Sequence, residues 1–267
     1  MNVLNSDSRG RKPRFGGRVR GFRPRLLPEI IGNAYSVPMR IGLRYFPTFL
    51  IASLLLGATR ASAAVTVDRK PAVIERKMFD PGHRPSDMPA LTGHESAVTQ
   101  SQFECSVTLS YQVLSHKEQG GGCKAFLKVQ GISVALQLKI VIWLPEGATP
   151  KLSAHEEGHR QIAERVYERA EKAARLIAKT VDETTIGGQA VDCDGAEKQA
   201  TQNASSRFCE SYLDQTARPS ARVSEIYDDL TAHGTREEPA EDEAIRRAFE
   251  MAEHESAAQG RASPQKE

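Results

Sequence analysis

The chain has 267 residues, 39% of them hydrophobic, which suffices for one packed core with tails or two small domains and excludes a membrane bundle. Its formal charge of +2 hides an asymmetry: residues 1–64 carry eleven Lys and Arg against Asp7 and Glu29, which leaves 25 basic and 32 acidic residues downstream, a net of −7. A basic leader on an acidic body argues for a targeting segment and against a nucleic-acid binder.

The leader reads as an export signal. Met39 opens a short basic stretch that includes Arg40 and Arg44, residues 48–58 are apolar, and Ala61-Ser62-Ala63 supplies the small-x-small pattern of a signal-peptidase site. Cleavage is expected after Ala63 or Ala64. The apolar run is too short for a comfortable transmembrane helix, so no stable membrane span is expected after cleavage; the competing reading is an uncleaved anchor. Residues 1–38, rich in Arg, Gly and Pro, precede a complete signal with its own Met. Translation is therefore expected to start at Met39, with 1–38 a basic extension.

Residues 65–100, with prolines at 71, 81, 85 and 89, read as an irregular lead-in. Residues 103–114 alternate polar and apolar like a half-buried strand. The polar, glycine-ended stretch 115–122 is a loop. Residues 124–144 return as strand, with Gly131 as a break, and Pro145-Glu-Gly147 ends it. A small antiparallel sheet is the expectation.

One long helix is predicted next, from an N-cap at Thr149 and Pro150 in the first turn to about Val181. Leu152, His155, His159, Ile162, Val166, Ala170, Ala173 and Ile177 recur at spacings of three and four and form its apolar stripe. Glu168/Lys172 and Glu171/Arg175 are i,i+4 pairs on the outer face. On the stripe lies His155-Glu156-Glu157-Gly158-His159, an H-E-x-x-H sequence. Helical spacing brings both imidazoles to one face, where they can share a zinc ion, and Glu156 is placed to act as general base toward a water on that ion. The bland alternative is a polar helix that matches by chance.

Catalytic zinc ordinarily takes three protein ligands. Position 165 is Arg165, which excludes the extended motif with a third nearby histidine. Of His83, His94, His116, His233 and His254, only His233 continues an apolar stripe (Val223, Ile226, Leu230), and Gly234 follows it as a helix stop. Glu210 and Glu225 are the choices if the third ligand is a glutamate.

Leu144-Pro145, the H-E-x-G-H segment and Tyr227-Asp228-Asp229-Leu230-Thr231-Ala232-His233-Gly234 together resemble a bacterial domain of unknown function described as secreted zinc-dependent proteases, which pairs H-E-x-G-H with Y-D-x-x-T-x-H-G. The resemblance covers residues 95–235. It implies an α+β, zincin-like metallopeptidase domain (101–235) with a small sheet, the active-site helix and further C-terminal helices. It also favours His233 as the third zinc ligand beside His155 and His159. Tyr227 becomes a candidate for stabilising an oxyanion, with plain packing as the competing role, and Asp228 a candidate for orienting a ligand histidine. The expected partner is a peptide or protein substrate, and the alternative is a non-catalytic exported zinc-binding or interaction module. The chain has no phosphate-binding Gly loop, nucleophile elbow or nucleic-acid motif.

Four cysteines lie beyond the signal, and an even count in an exported chain suggests two disulfides. Neighbour pairing, Cys105–Cys123 and Cys193–Cys209, is the simplest arrangement. It conflicts with an unbroken helix over 195–216, which would hold the second pair too far apart. Residues 236–267, rich in Glu, Ala and Arg, read as a charged, disordered tail with a loose helix around 244–252.

Overall fold

The computed structural model describes residues 64–91, 95–182 and 184–262. The expected signal, the extension before it and His94 lie outside them. The order is β1 (Ala64–Arg69), β2 (Val73–Phe79), β3 (Val98–Gln119), β4 (Gly122–Pro145), α1 (Pro150–Tyr167), α2 (Ala170–Asp182), β5 (Thr185–Ala190), α3 (Cys193–Gln215), α4 (Ala217–Thr231) and α5 (Glu241–Ala262). The fold is α+β, built on one five-stranded sheet.

β4 is the spine of that sheet. β3 runs antiparallel along one side of it, while β5, β1 and β2 follow one another along the other side, opposite residues 123–128, 131–136 and 139–145. The sheet is therefore mixed, not antiparallel as expected: β1 and β2 lie parallel to β4. Local alternation cannot reveal such pairing, because Ala64 meets Gly131 across 67 intervening steps of chain. For the same reason the expected irregular lead-in contains two strands, β1 and β2, with Pro71 between them and Pro81 just after β2, where a missing N–H costs no ladder bond.

The inward face of β4 changes parity along its length. Cys123, Ala125, Leu127 and Val129 are buried at odd positions, then Ile132, Val134, Leu136, Leu138, Ile140 and Ile142 at even ones. The switch falls where Ser110 pairs with Gly131 but Tyr111 pairs with Val129, leaving Gln130 unmatched. One extra residue in a strand turns every later side chain over. Gly131 thus marks a bulge within one strand, not the end of one.

α1, α2 and α3 cover the buried face of the sheet. Thr149 caps α1 by accepting from the Leu152 N–H at 3.1 Å. The predicted single helix divides at Glu168–Arg169, where the Arg169 N–H turns back to the Val166 carbonyl and α2 begins at Ala170. No Pro or Gly marks this break. Of the two anticipated ion pairs, Glu171–Arg175 forms at 2.8 Å.

The expected disordered tail is mostly α5. Its Ala244, Ile245 and Ala248 are buried against Ile162 of α1 and Val223, Ile226 and Tyr227 of α4. Its charges lie on the other side, where Arg246 and Arg247 both pair with Glu243. Among the described residues no helix is long and apolar enough to cross a membrane.

The disulfides are Cys105–Cys209 and Cys123–Cys193, with Cα–Cα separations of 5.6 and 5.0 Å. Neighbour pairing fails because α3 runs unbroken through Cys193 and Cys209, which its rise holds about 24 Å apart. Both bonds instead staple α3 to the β3–β4 hairpin. Disulfides of this kind are compatible with an extracellular location. Non-reducing peptide mapping should recover these two linkages and no other. Replacing Cys105 and Cys209 by Ala opens a loop that the inner bond shortens to about 35 residues, so stability should fall by about 3–4 kcal/mol in denaturant titrations; a fall below about 1 kcal/mol would show that the outer bond constrains little.

Candidate metal centre

α1 brings His155 and His159 to the same face one turn apart, and the last turns of α4 lie across them. Asp228 Oδ1 stands 3.1 Å from His155 Nε2 and 3.0 Å from His159 Nε2, and the two Nε2 atoms are 3.3 Å apart. These lengths are close to the edge of a tetrahedral shell around zinc, roughly 3.3 Å for bonds near 2.0 Å. The group could bind a metal ion.

Its surroundings fix the ligand atoms. Tyr227 stacks on the His155 ring at 5.0 Å between centroids, with only 10° between the planes. Thr231 Oγ1 donates to the Tyr227 carbonyl at 2.8 Å and lies 3.4 Å from His155 Nδ1. An Nδ1–H donated to that oxygen leaves Nε2 as a lone-pair ligand, the arrangement by which a hydrogen bond on the far side of the ring selects the metal-binding tautomer.

Two glycines allow this approach. A Cβ on Gly158 would fall within 2.6 Å of Tyr227 Cζ and closer still to its hydroxyl. A Cβ on Gly234 would stand 2.8 Å from His155 Cβ and Cγ, and Gly234 also holds φ +74°, which L side chains rarely adopt. Both motifs are thus two sides of one contact.

Glu156 is buried beside the histidines. Thr99, at the start of β3, donates its hydroxyl to Glu156 Oε2 at 2.7 Å. Burial pushes the Glu156 carboxyl above its ordinary range, against the pull of Thr99 and the two imidazoles. Burial also opposes ionisation of Asp228, but hydrogen bonds from His155 and His159 outweigh it and hold that carboxyl well below the usual range. Burial disfavours the His159 cation; the hydrogen bond and charge of Asp228 reverse this and raise its pKa.

An open cleft of about 280 Å³ lies over the cluster, lined by Glu95 to Thr99 and Ser101 on one side and by Ala221, Ser224, Glu225 and Asp228 of α4 on the other. His155, Glu156, His159 and His233 also reach it.

The sequence-predicted residues fare unequally. His155, His159 and Glu156 come together at the cleft. His233 does not sit on the α4 stripe: the helix ends at Thr231, Ala232 and His233 take φ of 47° and 53°, and the side chain is 43% exposed. The helical periodicity stops two residues before His233, which stands outside the three-atom cluster, with Nδ1 3.6 Å from Asp228 Oδ1. Tyr227 is fully buried, and its hydroxyl points to the His155 carbonyl at 3.4 Å, which is the packing role and not an oxyanion contact. Glu210 is exposed on α3, and Glu225 pairs with Arg222 at 2.9 Å. Among the other histidines, His83 pairs with Asp80 and His116 with Glu197. The placement of Asp228 against both imidazoles, of Thr231 beside His155 and of Thr99 on Glu156 was missed. A signal existed: Tyr227, Asp228 and Thr231 share one face of α4 at spacings of three and four.

No protein-family model, no curated protein and no solved structure matches this chain.

Thr231→Val keeps the shape and removes the hydroxyl beside Nδ1. Zinc affinity, measured by competition with a chromogenic chelator, should fall about 10- to 100-fold, and Thr231→Ser should restore most of it. Unchanged affinity in the valine variant would show that the hydroxyl does not orient His155.

Proposed function

We propose that the protein is an exported zinc-dependent peptidase in which His155, His159 and Asp228 hold the ion and Glu156 is the general base. The observation that carries this reading is the convergence of three ligand atoms, at the edge lengths of a tetrahedron, beside a buried carboxylate on the floor of an open cleft. A set of three protein ligands leaves one position for water or substrate, as catalytic zinc sites do and closed structural sites do not. The donor set of two imidazoles and a carboxylate suits zinc.

Zinc in such a site supplies Lewis acidity, lowering the pKa of water to about 7 and polarising a carbonyl. The residues of the chain do the rest. Glu156 accepts a proton from the attacking water, and burial strengthens it as a base. Thr99 holds the Glu156 carboxylate in place by donating to its Oε2. Asp228 neutralises charge at the site while its backbone forms the last turn of α4. The two segments that resemble the secreted-protease family are the two that pack together here, which supports the reading, and the disulfides support export.

Glu156→Gln tests it. The amide keeps the shape, so zinc should remain bound at one per chain by atomic absorption. Hydrolysis of fluorescein-labelled casein should fall by about 10²- to 10⁴-fold. Wild-type protein with full zinc occupancy and no hydrolysis of casein or of a mixed peptide library would leave a non-catalytic zinc-binding module as the better reading.

A further inference from the structure

Three consecutive residues beyond α4 take left-handed backbone angles, with φ of 47° at Ala232, 53° at His233 and 74° at Gly234. Gly234 takes this conformation freely; an L side chain does so at a cost and persists there only when its surroundings hold it. Here the Asp228 carbonyl holds it, accepting N–H groups from both Ala232 and His233. The ligand residue's own backbone thus carries His233 into position. The result is an imidazole at the cleft, 43% exposed, whose Nδ1 lies 3.6 Å from Asp228 Oδ1. That separation is beyond hydrogen-bond length. Among the described residues the His233 ring makes no hydrogen bond, so its N–H is uncommitted.

The cleft needs such a donor. A carbonyl attacked by water gathers negative charge on its oxygen, and enzymes meet it with donors already aimed there. Tyr227 cannot serve, because its hydroxyl is buried against α1. No Lys or Arg is among the described residues that line the cleft, which instead carries Glu95, Glu156, Glu225 and Asp228.

We propose that His233 is a catalytic residue that touches substrate and not a metal ligand: its ring N–H donates a hydrogen bond to the carbonyl oxygen of the bond being cleaved. No proton is transferred in this role. The assignment rests on the peptidase reading above. It explains why a histidine occupies a position that glycine would fill with less strain.

The test uses the full zinc-loaded chain and two variants. His233→Gly relieves the left-handed backbone and removes the donor. Its Tm should be unchanged or higher by roughly 2–4 °C, its zinc Kd should stay within about threefold of wild type, and casein hydrolysis should fall about 10²- to 10³-fold, mainly in kcat. His233→Asn keeps an amide N–H and tolerates the left-handed region, so it should recover part of the activity. Binding of acetohydroxamate, a small zinc-directed oxygen ligand, should weaken about tenfold in the glycine variant, as loss of one hydrogen bond predicts. Loss of zinc from His233→Gly would make His233 a ligand and overturn the proposal, and hydrolysis within twofold of wild type would overturn it equally. If wild-type protein hydrolyses nothing, the peptidase reading falls; the acetohydroxamate titration still decides whether His233 faces the open side of the metal, and equal affinity in both proteins refutes that.

Discussion

The site depends on how closely the end of α4 approaches the middle of α1. Tyr227 lies flat on His155, its hydroxyl fills the space that a side chain on Gly158 would need, and Gly234 comes close against Cβ and Cγ of the same histidine. Without that approach the two histidines would be ordinary polar residues of one helix. With it, Asp228 is carried to about 3 Å from both Nε2 atoms. Buried polar groups are costly unless each finds a partner, and here each partner is another member of the cluster. The arrangement is thus self-consistent without metal and already has the spacing that a metal would impose.

The rest of the fold holds α1 and α4 at this distance. α1 is fixed to the sheet by the Tyr167 hydroxyl, which donates to the Lys70 carbonyl at 2.8 Å, and by Arg76 of β2, which meets Glu157 at 2.6 Å. α5 packs its alanine-rich face on both helices. α3, which leads directly into α4, is tied to the β3–β4 hairpin by both disulfides. The early strands β1 and β2 complete the sheet on which α1 rests, so residues outside the expected catalytic region still contribute to the position of the ligands.

What could be read in the sequence was local. The H-E-x-x-H helix, its Thr149 cap and its inward face follow from spacings of three and four within one element, and these appear as expected. The features that were misread are tertiary. Parallel pairing of β1 and β2 joins segments more than sixty residues apart, and the disulfides join elements, not neighbours in sequence. α5 looked like a solvated tail because Arg246, Arg247 and Glu243 dominate its composition, while its apolar face is only one residue in three or four. The third ligand atom shows the subtlest failure. Gly234 correctly signalled a helix end, but the left-handed turn begins at Ala232, so His233 leaves the stripe that Leu230 and Ile226 define, while Asp228, one turn earlier, stands about 3 Å from both imidazoles.

The central claim is that Asp228, and not a third histidine, completes the metal site. X-ray absorption at the zinc K-edge, on the full chain loaded with one equivalent of zinc, reads this most directly. The account predicts a first shell of two imidazole nitrogens and two oxygens at about 2.0–2.2 Å, one oxygen from Asp228 and one from water, with no sulfur. The oxygen from Asp228 should be replaced or lost in Asp228→Ala, with the His233→Gly spectrum unchanged from wild type. A shell with three imidazoles, one of which disappears in His233→Gly, would contradict it.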